Sequence, residues 1–346
     1  MDASEGVILV NPDQETVEEY TRKAQEFERY QRELEESSGL PTVTTDGRKL
    51  EVCGNVGNLE DIKNALNYQI DGVGLFRSEF LYMESDHFPT EEEQFEVYRK
   101  AAQLLEGREL TIRTLDIGGD KGLDYFEFPQ EENPFLGYRA IRIGLDKTEI
   151  LKTQLRALLR ASAYGQIRIM YPMIISIEEI TQAAAILKES KEELQREGKP
   201  FAEDIQVGVM IETPAAVMMA EELAEKVDFF SIGTNDLTQY FLAVDRGNQK
   251  ISALYNSYHP AVLRAINRTI QAGHKYNRKV GMCGEFASDQ KAVKLLLGMG
   301  LDEFSMAPSE TAAVKYQIRN ASFEETQKLA QEVLQQPTVE AVMQRL

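Results

Sequence analysis

The sequence predicts an α/β fold of the TIM (β/α)8 barrel type, with a helix in front of it. Eight short apolar segments alternate with amphipathic segments between residues 50 and 319, close to the roughly 250 residues that such a barrel needs. The segments are continuously apolar, as parallel strands covered on both faces are. At least five of them end in a polar residue, at the end where barrel enzymes build their sites. This last observation favours the barrel over a doubly wound open sheet.

The predicted elements follow one another without a tandem repeat. The strands are residues 50–56, 72–76, 109–116, 167–173, 206–212, 228–233, 279–283 and 303–307. The helices are residues 59–69, 91–106, 147–163, 177–196, 214–226, 260–277, 289–299 and 309–319. Several helices open with Pro, Thr or Asp, which favour helix starts. The link from Ile117 to Arg139 is unusually long, and loops of this size are commonly functional or lie in an interface.

The N-terminal part of the chain is predicted to be a separate helix. Apolar residues recur at spacings of three and four through residues 13–38, amid many charged residues, which indicates an amphipathic helix. The segment SSGLPTVTTDGRK at 37–49 then breaks this pattern with Ser, Gly and Pro. We therefore divide the chain into a linker helix at 13–40 and a barrel at 41–346.

Composition excludes several classes of protein. The 38 basic and 57 acidic residues give a net charge of −19, which argues against broad binding to nucleic acid or to anionic lipid. No segment approaches the roughly 18 uninterrupted apolar residues of a membrane span, and the first residues do not resemble a signal peptide. Cys53 and Cys283 lie far apart without metal-ligand spacing. We therefore expect free thiols, a cytoplasmic protein and no membrane partner.

Arginines at the predicted strand ends indicate an anionic ligand. Arg77 follows GVGLF and Arg113 follows LTI, while Arg246 lies in AVDRGN. Guanidinium groups match phosphate and carboxylate oxygens with two parallel donors. Arg139, in NPFLGYRAIR, fits a ligand contact and a structural ion pair equally well.

Two carboxylates at successive strand ends indicate a metal. Glu212 ends VGVMIE, and Asp236 follows Asn235 in SIGTND. A buried carboxylate is costly unless it is paired or ligates a cation, and oxygen ligands of this kind suit Mg²⁺ or Mn²⁺. A salt bridge to a neighbouring arginine is the alternative. Two such carboxylates, with arginines on two other strands, favour the metal.

Cys283 is a candidate proton donor. It lies between small residues in GMCGE, and an ordinary thiol with a pKa of about 8.5 is mostly protonated at neutral pH. Inert burial is the alternative, and we expect it for Cys53. The sequence has no GxxxxGK[ST] phosphate loop, so ATP is not indicated as a substrate.

The motifs together resemble the C-terminal phosphoenolpyruvate-binding half of enzyme I of the bacterial sugar phosphotransferase system, the phosphoenolpyruvate-protein phosphotransferase family. The motifs are GVGLFRSEFLYM, RTLDIGGDKGLDYF, ENPFLGYRAIRI, IETPAAV, SIGTNDLTQY, DRGN, HPAV, MCGEFASD and LDEFSM. The resemblance covers residues 1–320 in order. It implies that Arg77, Arg113 and Arg246 bind the phosphate and carboxylate region of the substrate, that Asn235 contacts the phosphate, that Glu212 and Asp236 ligate Mg²⁺, and that Cys283 protonates the methylene carbon as pyruvate forms. We predict Asp236 and Arg139 as further substrate contacts.

The resemblance also implies partners. Full-length members carry an N-terminal domain whose histidine, in a TSHTA-like segment, accepts the phosphoryl group, and this sequence has no such segment. We therefore expect a fragment in which residues 1–12 are a remnant strand of that domain, since GVILVNP at 6–12 is similar to its last strand. The expected partners are the histidine domain in trans, through it the phosphocarrier protein, and a second copy in a homodimer.

Two other functions fit the same residues. The barrel of a pyruvate phosphate dikinase or phosphoenolpyruvate synthase shares the arginines, the acidic pair and the cysteine, although LDEFSM and DIGGDK favour enzyme I. A non-catalytic dimerisation module that senses metabolite levels is the alternative from a different class.

Overall fold

A computed structural model of the chain describes residues 6–119 and 121–346. The chain forms two compact units, residues 1–40 and residues 41–346. The first unit contains helix α1, Gln14–Ser37, within the predicted linker helix. Residues 1–5 of the predicted remnant strand lie outside the described residues, and residues 6–12 form no helix or multi-residue strand. Their origin in another domain stays a prediction.

The second unit is a closed barrel of parallel strands. In chain order the strands are β1 Glu51–Val56, β2 Val73–Arg77, β3 Leu110–Arg113, β4 Ile167–Tyr171, β5 Gln206–Ile211, β6 Phe229–Ile232, β7 Lys279–Met282 and β8 Glu303–Met306. Each pairs with the next, and β8 pairs with β1. This closure confirms the predicted TIM barrel and excludes the open sheet.

The helices of this unit surround the strands. They are α2 Leu59–Asn67, α3 Glu79–Met83, α4 Glu91–Leu104, α5 Ile141–Asp146, α6 Thr148–Ser162, α7 Ile177–Arg196, α8 Pro214–Met218, α9 Ala220–Ala224, α10 Thr234–Leu242, α11 Pro260–Lys275, α12 Val293–Met299, α13 Thr311–Arg319, α14 Phe323–Leu334 and α15 Val339–Arg345. Five of these helices were not predicted from the sequence, namely α3, α5, α10, α14 and α15, and α8 and α9 were predicted as one helix. Within the described residues, no helix has the length and apolar character needed to span a bilayer.

Local sequence explains where the longer helices begin. Thr90 and Glu93 form a capping box at α4, in which each side chain accepts a hydrogen bond from the other's backbone N–H. Ser176 and Glu179 do the same at α7. Such caps satisfy N–H groups that have no partner inside the helix, so they fix the first turn.

An apolar layer fills the middle of the barrel. Leu75, Met170, Met210, Phe229 and Cys283 form this cluster, and all are buried. Since four of the side chains are apolar and the fifth is a thiol, the layer separates the two polar ends of the barrel. The C-terminal ends of the strands lie above it and carry the cavity described below.

A buried ionic cluster closes the other end of the barrel. The Glu303 carboxylate lies 3.0 Å from both the Arg168 guanidinium and the Lys279 ammonium group. Burial opposes ionisation of Glu303, but Arg168 and Lys279 outweigh it and lower its pKa to about 2. Glu51, Cys53 and Glu303 bring possible ligand atoms within 4.8 Å of one another. Lys279 binds both of these carboxylates, and Glu109 adds a third carboxylate that pairs with Arg168 and Lys279.

Candidate active site

A cavity of about 470 Å³ lies at the C-terminal ends of the strands. All eight residues singled out in the sequence line it: Arg77, Arg113, Arg139, Glu212, Asn235, Asp236, Arg246 and Cys283. Arg77 and Arg113 are the last residues of β2 and β3, as the strand-end argument requires. Asn235 and Asp236 differ from the expectation, because β6 ends at Ile232 and they lie in the first turn of α10.

Arg113 is held from two sides by carboxylates. Its guanidinium donates to Glu79 at 2.6 Å and lies 3.0 Å from the Asp116 carboxylate. All three side chains are buried. Burial alone would lower the pKa of Arg113, but Asp116 and Glu79 outweigh it and hold the pKa above its usual value. Arg113 is therefore a fixed cation in the cavity wall.

Arg139 is fixed in the same way. Its guanidinium donates to Asp116 at 3.0 Å, to the Tyr240 hydroxyl at 3.1 Å and to Asp236 at 3.5 Å. Of the two interpretations drawn from the sequence, the ion pair is present, and ligand contact stays a prediction. Burial works against the charge of Asp116, but Arg113 and Arg139 outweigh it and lower the Asp116 pKa well below its usual range.

Glu212 is a buried carboxyl group with a strongly shifted pKa. Burial raises its pKa to about 8, and the nearby Asp236 and Asp116 add to the shift. One of its oxygens accepts a hydrogen bond of 2.7 Å from the Met173 backbone N–H. Met173 has a φ of 60°, a conformation that costs energy in a residue with a side chain. The fold therefore keeps Met173 in a strained backbone conformation that directs its N–H at one oxygen of Glu212.

The pair formed by Glu212 and Asp236 fits a divalent cation. Asp236 gives one oxygen to Arg139, while its Oδ1 is buried and has no hydrogen-bond partner among the described residues. A Cβ added at Gly233 would lie 2.8 Å from Glu212 Oε2, so a glycine is needed beside this carboxylate. Two oxygen donors with positions left for water and substrate suit Mg²⁺. The salt bridge to an arginine, which was the alternative to a metal, involves only the Oδ2 atom of Asp236.

Arg77 and Arg246 differ from the other two arginines. In the part of the chain that the structure describes, neither guanidinium has a hydrogen bond or ion pair with a protein group. Arg77 is exposed and Arg246 is half-buried. The Asn235 side chain connects the first turn of α10 to the segment after β7, because its Oδ1 accepts a hydrogen bond of 3.3 Å from the Glu285 N–H. The cavity thus offers two fixed guanidinium groups and two that are free to meet a ligand.

Cys283 lies at the bottom of the cavity, next to the apolar layer. Its backbone N–H donates to the Ile232 carbonyl at 3.1 Å, and its thiol contacts the same oxygen at 3.9 Å. Burial raises the pKa of the Cys283 thiol to about 11, although the Ser231 hydroxyl and the charges of Arg113 and Arg77 act in the opposite direction. The thiol is therefore protonated at neutral pH and able to donate.

Four charged residues of the cavity were not predicted from the sequence: Glu79, Asp116, Lys121 and Glu285. Glu79 accepts from Arg113 and, at 2.8 Å, from Lys121, while Asp116 pairs with both buried arginines. A signal existed in the motifs RSE and RTLD, where an acid follows an arginine by two or three residues. With these residues the cavity lining contains five cationic and five acidic side chains. Because the pKa of Glu212 is raised to about 8, the lining carries a small excess of positive charge at neutral pH before a ligand enters.

Comparison with known proteins identifies the family of this chain. Residues 31–323 match the family described as "PEP-utilising enzyme, PEP-binding domain". Phosphoenolpyruvate-protein phosphotransferase of Haemophilus influenzae is 49% identical over 344 residues, which cover 99% of this chain and 60% of the relative. The protein of the same name from Bacillus subtilis is 46% identical over 343 residues, with the same shares covered. The chain therefore spans about 60% of the length of these relatives.

Solved structures with a similar fold are more distant. A HpcH/HpaI aldolase/citrate lyase family protein from Burkholderia cenocepacia aligns with a TM-score of 0.48 and 15% identity, over 83% of this chain and 96% of that one. A citrate lyase beta subunit from M. tuberculosis aligns with a TM-score of 0.44 and 14% identity, over 78% and 97%. This likeness is too distant to indicate a function.

The raised pKa of Cys283 predicts slow, steeply pH-dependent alkylation. Only the thiolate reacts, so with a pKa of about 11 the rate should rise roughly tenfold per pH unit from pH 7 to 9.5 without levelling off. Iodoacetamide labelling followed by peptide mass spectrometry measures this rate separately from that of Cys53. A plateau near pH 8.5 would contradict the assignment, and a Cys53→Ser variant should leave the profile unchanged.

Proposed function

The chain belongs to the family of phosphoenolpyruvate-binding domains of phosphoenolpyruvate-utilising enzymes, and we propose that its cavity binds phosphoenolpyruvate together with Mg²⁺. One observation carries the proposal. Arg77 and Arg246, whose guanidinium groups have no protein partner among residues 6–119 and 121–346, line the same cavity as a carboxylate pair with one buried oxygen that is likewise unpartnered there. A trianionic substrate and a divalent cation complement these two sets of groups.

The reaction we propose is transfer of the phosphoryl group to a histidine on a separate N-terminal domain. The bond between phosphorus and the enol oxygen breaks, a bond between phosphorus and a histidine nitrogen forms, and the enolate of pyruvate remains. Relatives that are 46–49% identical to this chain over the aligned residues are named phosphoenolpyruvate-protein phosphotransferase, which favours this transfer over the dikinase and synthase alternatives. From that domain the phosphoryl group would pass to the phosphocarrier protein.

Mg²⁺ would be held by Glu212 and Asp236. When bound, the ion supplies positive charge that stabilises the phosphoryl oxygens during transfer. The protein's own contribution is to hold the two carboxylates in place. The Met173 N–H fixes one oxygen of Glu212, and the Arg139 guanidinium fixes one oxygen of Asp236.

The cationic and amide groups divide into two sets in this proposal. Arg77, Arg246 and Asn235 contact the phosphate and carboxylate oxygens directly. Arg113 and Arg139, which are already paired with buried carboxylates, also lie at the substrate but act mainly as fixed positive charge. Because fixed donors need no reorganisation as charge moves, they stabilise the transition state effectively.

Cys283 would complete the reaction by protonating carbon. The thiol proton moves to the methylene carbon of the enolate, which becomes pyruvate, and the resulting thiolate regains a proton from solvent. The protonated state that burial imposes on this thiol is the state that a general acid requires. We place the protein in the cytoplasm, since both of its cysteines are free and buried.

Loss of an unpaired arginine should weaken substrate binding without unfolding the protein. For Arg77→Ala, calorimetry should show phosphoenolpyruvate affinity about 10 to 100 times lower, because a hydrogen bond between charged groups contributes roughly 1.5–3 kcal/mol. Arg196→Ala, an exposed arginine on α7, is the control and should bind as the wild type does. In Glu212→Gln the effect of Mg²⁺ on affinity should disappear. Unchanged binding in both site variants would reject the assignment.

Phosphoryl transfer is tested by supplying the missing acceptor. With Mg²⁺, phosphoenolpyruvate and a separately expressed histidine domain of a relative, the wild-type chain should form pyruvate and phosphohistidine. Cys283→Ser should bind phosphoenolpyruvate normally but form pyruvate at least about tenfold more slowly, since general acids contribute about 10²–10⁴ to rate. If binding is normal but the wild type forms no pyruvate above background, the metabolite-sensing module becomes the better description.

A homodimer is the remaining part of the proposal. It is supported by the resemblance to enzyme I and by large apolar side chains exposed on the barrel unit, including Leu136, Met218 and Leu254. Light scattering should give twice the chain mass of 39.2 kDa. A single monomeric species at micromolar concentration would overturn it.

A further inference from the structure

Asn55 lies at an irregular position of β1, on the rim of the barrel. The pairing of β1 with β2 shifts register between Gly54 and Asn55, and the pairing of β1 with β8 ends at Gly54. Such a bulge redirects the next side chain and is frequent beside functional sites. The Asn55 side chain is thereby free to reach across β8.

The Asn55 amide connects three strands. Its Nδ2 donates to the backbone carbonyl of Cys283 at 2.9 Å and reaches the Ser305 carbonyl at 3.4 Å. Its Oδ1 accepts from the Ser305 hydroxyl at 2.7 Å. Because the hydroxyl donates to Oδ1, the orientation of the amide is determined by its partners. Gly74 makes room for this contact, since a Cβ there would lie 2.4 Å from Ser305 Oγ.

Cys283 depends on this contact because the regular ladder has already ended. The pairing of β7 with β8 extends only to Met282 and Phe304, so β8 offers no backbone donor to the Cys283 carbonyl. The Cys283 N–H is bound to Ile232 on β6. Asn55 on β1 thus holds the carbonyl of Cys283 by reaching across β8.

Asn55 also lines a second cavity of about 580 Å³ beside the first. The two cavities share Arg77, Asn235, Cys283 and Glu285. The Asn55 side chain therefore approaches Cys283 from the side opposite to the carboxylate pair. Its loss would remove no group that we assign to substrate or metal.

We infer that Asn55 is a positioning residue that fixes the Cys283 thiol over the methylene carbon of the substrate. The inference deepens the proposed function and rests on it for the identity of the substrate. Without the Nδ2 donor, the Cys283 carbonyl is released and the thiol turns away from the carbon that it protonates. Binding of phosphoenolpyruvate and Mg²⁺ stays intact, because Arg77, Glu212 and Asp236 are untouched.

The test uses Asn55→Asp, which keeps the size and the Oδ1 acceptor but removes the donor. With the histidine domain in trans, kcat for pyruvate formation should fall about 10 to 100 times, the loss expected when a reacting group is displaced by about 1 Å, while KM for phosphoenolpyruvate stays unchanged. Iodoacetamide should alkylate Cys283 about five times faster, because a lost hydrogen bond favours local opening by roughly that factor. If Asn55 had only a structural role, the substitution would neither lower kcat at unchanged KM nor change the rate at which Cys283 is labelled.

Two further variants keep the test decisive. Asn64→Ala is the matched control, since Asn64 lines the same second cavity and is exposed, and it should behave as the wild type in both assays. Ser305→Ala removes the hydroxyl that orients the amide and should give a smaller change in the same direction, even if Asn55→Asp fails to fold. The inference is overturned if both Asn55→Asp and Ser305→Ala are labelled at the wild-type rate, or if both have the wild-type kcat. If the wild type itself forms no pyruvate, the proposed function fails, and labelling alone decides whether Asn55 positions Cys283.

Discussion

The carboxylate of Asp116 is the group around which the cavity is organised. It is buried with two guanidinium groups, those of Arg113 and Arg139, each 3.0 Å away. Removing one partner of such a buried pair generally costs about 3–5 kcal/mol, because the remaining charge is left without compensation. Asp116 therefore fixes β3 and the long loop that follows it to each other. Through Arg139 the same carboxylate also determines where Asp236 lies on α10.

This arrangement separates charges that stabilise the fold from charges that can meet a ligand. Glu79 and Asp116 compensate the buried arginines, whereas Arg77 and Arg246 have no protein partner in the described part of the chain. Glu212 is left without a full counter-charge, and its pKa of about 8 reflects this. In the proposed function, a divalent cation and a trianion together nearly cancel in charge. Binding of the two ligands together therefore changes the net charge of the cavity less than binding of either one alone.

The sequence predicted the parts of this structure that follow from periodicity, but not those that depend on pairing. All eight strands were placed within a few residues, since buried parallel strands form continuous apolar runs. Helix α3 was missed because its five residues give too little helical period to detect. The acids Glu79 and Asp116 were missed for another reason: which carboxylate compensates which arginine depends on distances between different strands. The bulge at Asn55 was equally invisible, because register is a property of two strands.

The apolar layer beneath the cavity links the fold to the chemistry of Cys283. Leu75, Met170, Met210 and Phe229 exclude water from below, so the thiol is stabilised in its neutral form and its pKa rises to about 11. A thiol with that pKa loses its proton only to a strong base, and an enolate carbon is such a base whereas water is not. The Ser231 hydroxyl on β6 lies close to the thiol, and the backbone of Cys283 is held by the Ile232 carbonyl and the Asn55 amide. The orientation of Cys283 consequently depends on contacts from β6 and, across β8, from β1.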